Sequence, residues 1–423
     1  MNFNLLSPRE KVSEIIGRIY KYSLTTTSGG NVSFCDKNGS VFITPGGNDK
    51  GVLTPDDIME ITKDGEFIGK HKPSCEYPFH TSVYKRRPEI KAIIHAHAPS
   101  LVAFAVVRKI PNTSVMRVFK DIFDKIAPSA YAIPGSLLLG DIIAQEFYNG
   151  FDVVMMDNHS VVIGAADLQT AYLIYEALDL CAKILINAAF LGGKMQEIDE
   201  KTHIFDINIA KKQGNQRDYN ENEVKIANEI ISFIKRSLAQ HIINSVTGVF
   251  SAKISDTEFI ISPSEMDREY ISIDDLMIVN INNDNKINKI VDLHKNIYKK
   301  NNEINAIFMS QGPYSSAFGI TNTQLDCRII PESYVMIHDI KTVKYDKNFI
   351  YNNIINQIGK INPVIMAEND FAICVGKDLT QVFDRMEVLE FSANSLISAT
   401  KLGKIINLNQ NEIDDINKNF INW

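Results

Sequence analysis

Three histidines and one glutamate in the first half of the chain have types and spacings that could hold a metal and move a proton. His95 and His97 lie two apart in Ile93-Ile94-His95-Ala96-His97. On a strand, alternate residues share a face. A rise of ~3.3 Å per residue puts their Cα atoms ~6–7 Å apart. Two imidazoles can converge from there on one ion at ~2.0–2.1 Å. Burying both without partners would instead cost free energy. The pair alone leaves metal binding and a plain buried strand equally open. His159, in Asp157-Asn158-His159-Ser160, lies at a turn between two apolar runs and by itself reads as solvated. Glu76 follows Pro73-Ser74-Cys75, where a carboxylate also suits a helix N-terminus on electrostatic grounds alone.

An internal repeat changes this weighing. His80, Tyr84, Ala92 and Phe104 align without gaps to His294, Tyr298, Ala306 and Phe318. Ile43-Thr44-Pro45 pairs with Ile261-Ser262-Pro263, Asp56-Asp57 with Asp274-Asp275, and Gly164 with Gly376. In the second copy His95, His97 and His159 become Met309, Gln311 and Asp370, and Glu76 becomes Ile290. The four disappear as a set while the apolar frame stays, which indicates one shared job. We therefore expect His95, His97 and His159 to bind one divalent cation, with Glu76 as acid/base beside it. Three protein ligands leave an open coordination position, as catalytic ions require. His80 persists as His294 and reads as structural.

The elements that must position these residues alternate in type. Lys11 to Tyr20 has helical periodicity; Val41 to Thr44 and Ile90 to His97 are rich in branched apolar residues and read as strands. Ser74 fits the N-cap of a helix running to about Arg87. Val153 to Met156 and Val161 to Ile163 read as strands joined at the His159 turn. Asp167 to Leu191 reads as a long helix stopped by Gly192-Gly193. We expect a catalytic domain over residues 1–205, a polar linker over 206–220 and a degenerate copy over 221–423.

Composition narrows the class of function. The 423 residues include 45% hydrophobic and 22% charged residues, ordinary for a globular protein. A formal charge of −7 without a basic stripe argues against a nucleic-acid partner. The longest apolar stretch, Ala182 to Gly193, is interrupted by Lys183 and Asn187, far short of the ~20 residues a membrane span needs. Five scattered cysteines without a Cys-x-x-Cys pair, and an N-terminus without an apolar core, fit a cytoplasmic protein.

Residues 10 to 190 resemble the class II aldolase/adducin family, the metal-dependent L-fuculose-1-phosphate aldolase-like enzymes. The resemblance rests, in order, on Ser28-Gly29-Gly30-Asn31-Val32-Ser33, Ile43-Thr44-Pro45-Gly46-Gly47, Leu53-Thr54-Pro55-Asp56-Asp57, Lys72-Pro73-Ser74-Cys75-Glu76, Arg87-Pro88-Glu89, His95-Ala96-His97 and Asn158-His159. It implies a three-layer αβα sandwich around a mainly antiparallel sheet, present twice. It implies Zn2+, or another divalent metal such as Mn2+, on the three histidines, and a sugar or sugar-phosphate substrate. Gly30, Asn31, Gly46, Gly47, Ser74 and Cys75 then fall at the positions that bind a substrate phosphate. Gly46 replaces the family's phosphate-binding threonine, Cys75 its second serine, and Val115 stands near its catalytic tyrosine. Tyr131 is the alternative tyrosine, though it more readily packs beside its turn. The implied activity is retro-aldol cleavage of a small ketose or ketose phosphate. An epimerase, decarboxylase or dehydratase would use the same metal site, and an adducin-like binding protein would use none. The family's oligomers imply two tandem chains forming a pseudo-tetramer.

Overall fold

The computed structural model describes residues 3–123, 125–198, 218–264, 266–283, 286–344, 346 and 350–420. The chain divides into two compact units. The first comprises Met1–Asn112 and Phe123–Ala182; the second comprises Thr113–Ile122 and Lys183–Trp423. Most of the 206–220 linker lies outside the described residues. No helix among the described residues is long and apolar enough to cross a membrane.

The first unit opens with a helix over Pro8–Lys21. Ser7 and Glu10 close a capping box on it, and Pro8 occupies its first turn, where a missing N–H does no harm. Its apolar residues Val12, Ile15, Ile16 and Ile19 recur at helical spacing and are all buried. Eight strands follow: β1 (Asn31–Cys35), β2 (Val41–Ile43), β3 (Met59–Ile61), β4 (Phe67–Ile68), β5 (Ala92–Ala96), β6 (Ala127–Ser129), β7 (Val153–Met156) and β8 (Val161–Ala165). Their order is β4-β3-β2-β1-β5-β8-β7-β6. Every pairing is antiparallel except β6 with β7.

Period-two alternation along β5 assigns its faces. Ile93 packs into a cluster with Phe79, Val83 and Tyr84 of the Tyr77–Arg86 helix. Burial of each such side chain contributes ~1.5–3 kcal/mol. His95, two residues on, is thereby carried to the same side of the sheet. Asn31 pairs with His95 across β1 and β5, and Ser33 pairs with Ile93, so both polar residues share that face. The Leu137–Tyr148 helix lies beside the Tyr77–Arg86 helix on this side.

The second unit repeats the plan with β9 (Val249–Lys253), β10 (Glu258–Ile261), β11 (Met277–Asn280), β12 (Ala306–Ser310), β13 (Lys341–Val343), β14 (Val364–Ala367) and β15 (Ala372–Gly376). Their order is β11-β10-β9-β12-β15-β14-β13, again with one parallel pairing, β13 with β14. The counterpart of β4 is missing among the described residues. Each copy is a three-layer αβα sandwich around a mainly antiparallel sheet.

Two details of the sequence reading change. β8 sets Ala165 opposite Ala92, and β15 sets Gly376 opposite Ala306. Gly376 therefore corresponds to Ala165, one residue beyond the Gly164 that sequence alignment chose. The helix expected from Ser74 begins at Tyr77, with Glu76 in the cap position. The Ser74 hydroxyl accepts from the Glu76 N–H, 3.3 Å away, inside a turn that precedes the helix.

Candidate functional site

Four segments of the first unit deliver the site residues. β5 ends at Ala96, so His95 is on the strand and His97 just past it. The turn between β7 and β8 carries His159 behind Asn158, whose φ of 54° is a left-handed conformation that asparagine tolerates. Asn369 takes the same conformation, φ 58°, at the matching turn of the second copy. Glu76 enters from the start of the Tyr77–Arg86 helix, and Asn31 from β1. Gly30, with φ 72°, is forced by its neighbours: a Cβ there would lie 2.7 Å from the His95 carbonyl oxygen.

The three imidazoles converge. One ring nitrogen from each of His95, His97 and His159 lies within 4.8 Å of the others. His95 and His97 Nε2 are 2.9 Å apart. Donors at ~2.0–2.1 Å from one ion in a tetrahedron are ~3.4 Å from one another. The observed spacings bracket that value. His95 Nδ1 donates to the Val161 carbonyl at 2.9 Å, which leaves Nε2 with its lone pair toward the cluster. A backbone acceptor behind the ring is how metal-binding histidines are oriented.

Burial tunes the same groups. It pushes His95 down to about 3, with help from neighbouring His97. It pushes His159 down to about 4, with His95 adding to the shift and Glu76 opposing it. His97 is also lowered by burial, again with Glu76 opposing. All three rings are therefore neutral near pH 7 and present nitrogen lone pairs.

The Glu76 carboxylate adjoins the triad. Its Oε2 lies 3.4 Å from His95 Nε2 and accepts from Asn31 Nδ2 at 2.7 Å. Its Oε1 lies 3.7 Å from His159 Nε2 and is buried without a hydrogen-bond partner. Three neutral nitrogens and an unsatisfied carboxylate oxygen form a donor set that a divalent cation fits.

The expected phosphate-binding residues differ in burial and surroundings. Asn31 is buried, with its amide committed to Glu76 and His80. Ser74 is buried and Cys75 is exposed. Gly47, with φ 72°, has open space where a side chain would stand, and Gly46 abuts the Pro73 carbonyl. Tyr131 is 58% exposed. Sequence reasoning overlooked the chain linking Glu76 to Asn31, His80, Ser33 and Tyr84. Its signal was present: Ser33, His80 and Tyr84 recur as Ser251, His294 and Tyr298.

The second copy fills the matching positions differently. Met309, Gln311 and Asp370 are all buried. Arg117, which belongs to the second compact unit, lies 3.4 Å from Asp370. Burial raises Asp370 to about 6, with Arg117 opposing the shift.

This doubled sandwich with a three-histidine cluster in one copy belongs to the class II aldolase and adducin family, whose Class II Aldolase and Adducin N-terminal domain matches residues 10–186 and again 228–397. The chain is an enzyme of the divalent-metal, aldolase-type lyase class. A 5-deoxy-D-ribulose 1-phosphate aldolase of Bacillus thuringiensis serovar kurstaki is 29% identical over 212 residues, 49% of this chain and 96% of that protein. An L-fuculose phosphate aldolase of Methanocaldococcus jannaschii is 32% identical over 179 residues, 42% of this chain and 95% of that protein. A 3-oxo-tetronate 4-phosphate decarboxylase of Escherichia coli is 27% identical over 183 residues, 42% of this chain and 86% of that protein.

Proposed function

We propose that the first copy cleaves a small ketose phosphate by a retro-aldol reaction, with His95, His97 and His159 holding a divalent cation, Zn2+ or Mn2+, and Glu76 moving the proton. The carrying observation is the convergence of three imidazole nitrogens within 4.8 Å of one another, beside an unpartnered Glu76 oxygen that lies 3.7 Å from His159 Nε2. The aldolase relatives support the substrate class. A cation held by His95, His97 and His159 would supply Lewis-acid chemistry at the substrate carbonyl.

The protein's own groups do the rest. The Val161 carbonyl fixes the His95 ring, so Nε2 faces inward. Asn31 holds Glu76 Oε2 and leaves Oε1 free toward the cluster. As the C3–C4 bond breaks, the C4 hydroxyl gives its proton to the Glu76 carboxylate and becomes the aldehyde carbonyl, the bond's electron pair stays with C3, and Glu76 passes that proton to C3. In the synthetic direction Glu76 takes that proton back. Gly30, Asn31, Gly46, Gly47, Ser74 and Cys75 would line the phosphate end of the substrate, with the Ser74 hydroxyl as a donor to it.

The test is aldehyde release from a panel of ketose phosphates by wild type and Glu76→Gln. Equal rates would remove Glu76 from the reaction. The decarboxylase relative favours a second reading, loss of CO2 from a 3-oxo sugar-acid phosphate. Product analysis by NMR on both substrate classes separates the two. The pseudo-tetramer reading predicts a solution mass about twice the 47.6 kDa chain mass; a monomer by light scattering would refute it.

A further inference from the structure

We propose that His80 is a positioning residue for Glu76, acting through Asn31, and that it does so as the Nε2–H tautomer. This rests on the reading of Glu76 as the acid/base.

The donors and acceptors permit one direction. A carboxylate only accepts, so the Asn31 amide must turn its Nδ2 toward Glu76 Oε2, at 2.7 Å. Asn31 Oδ1 then faces His80 Nε2, which must carry the hydrogen. His80 Nδ1 is left as an acceptor and receives the Ser33 hydroxyl at 2.7 Å. Ser33 Oγ in turn accepts from the Tyr84 hydroxyl at 2.6 Å. Every group in the run, from Tyr84 to Glu76, has a single role. Asn31, Ser33, Tyr84, His80 and Glu76 are all buried, so water cannot substitute for a missing link. Phe79 stacks on the His80 ring, with centroids 4.2 Å apart, and keeps it in plane.

The second copy is an internal control. Ser251 still meets His294 Nδ1 and the Tyr298 hydroxyl, each at 2.8 Å. Val249 stands opposite Met309 as Asn31 stands opposite His95. Ile290 stands where Glu76 was. His294 Nε2 is consequently buried with no partner. A purely structural histidine needs only the serine–histidine–tyrosine part, which both copies share. The further arm through the amide exists only where a glutamate is there to be held. Without the His80 N–H, the Asn31 amide is free to rotate its oxygen toward the carboxylate and push it from the cluster.

Two measurements on the full metal-loaded chain test this. In the first, histidine 15N is labelled and the ring of His80 is assigned by comparison with His80→Phe. The expected result is hydrogen on Nε2 and a bare Nδ1; hydrogen on Nδ1 overturns the proposal. In the second, His80→Phe is compared with His294→Phe, which removes the matching ring from the copy that has no glutamate. His80→Phe should lower kcat roughly 10–100-fold with little change in KM, a typical loss for a supporting residue. Metal content should stay at the wild-type level. His294→Phe, which breaks one side-chain hydrogen bond where His80→Phe breaks two, should leave kcat unchanged, and His80→Gln, which restores a donor, should recover part of the rate. Equal kcat in the two phenylalanine variants overturns the proposal. If wild type turns over none of the substrates, the reaction assignment fails, and the tautomer alone decides the role of His80.

Discussion

His95 Nδ1 donates to the carbonyl oxygen of Val161, 2.9 Å away across the paired strands β5 and β8. The backbone thereby sets the ring's tautomer, and the ring's other nitrogen is committed to the cluster. His95→Ala removes this anchored donor from the cluster. Zn2+ affinity, read by competition with a chromophoric chelator, should fall by more than ~100-fold. An unchanged affinity would place the ion elsewhere.

Glu76→Gln keeps the volume of the side chain and removes its capacity to accept a proton. Asn31 Nδ2 still has an amide oxygen to meet. The turnover rate should fall by roughly 10²–10⁴ while metal stays bound. A variant that loses metal and rate together would instead mark Glu76 as a ligand.

The buried pair Arg117–Asp370, at 3.4 Å, stands in the second copy where a histidine stands in the first. Arg117→Met would leave Asp370 buried without its cation. Urea unfolding should show a loss of about 3–5 kcal/mol. Adding Asp370→Asn to that variant should restore part of it. No loss in the single variant would show the pair to be dispensable.

Acid stability follows from His294, which burial pushes down to about 3. Its ordinary value is 6.5, so below that pH the unfolded chain binds a proton that the folded chain refuses. The stabilisation is complete above the ordinary value and is lost as the pH falls toward about 3, by about 1.4 kcal/mol per pH unit. Urea midpoints at about pH 7.5 and about pH 5 should therefore diverge less in His294→Phe than in wild type. Identical pH dependence in the two proteins would contradict this.

Much of the site was legible in sequence because its residues were missing as a set from the second copy. Met309, Gln311, Asp370 and Ile290 mark the lost positions. The frame was legible because apolar periodicity survives in both copies. The helix start was misread: Ser74 is a plausible cap by type, yet a turn intervenes before Tyr77. A serine's fitness for a cap says nothing of where the chain enters the helix. The His80–Asn31 bond was not legible, because retention as His294 points only to the serine–histidine–tyrosine part that both copies share. The second nitrogen of His80 gains meaning only from Asn31, some fifty residues away in sequence and adjacent on β1, and strand register is a long-range property. The Arg117–Asp370 pair is hidden for the same reason.

Metal content of the purified, exhaustively dialysed chain, measured by plasma mass spectrometry, tests the central claim most directly. Wild type should hold about one divalent ion per chain, and the His95→Ala/His97→Ala variant almost none. Metal-free wild type, or a variant that keeps the ion, would contradict it.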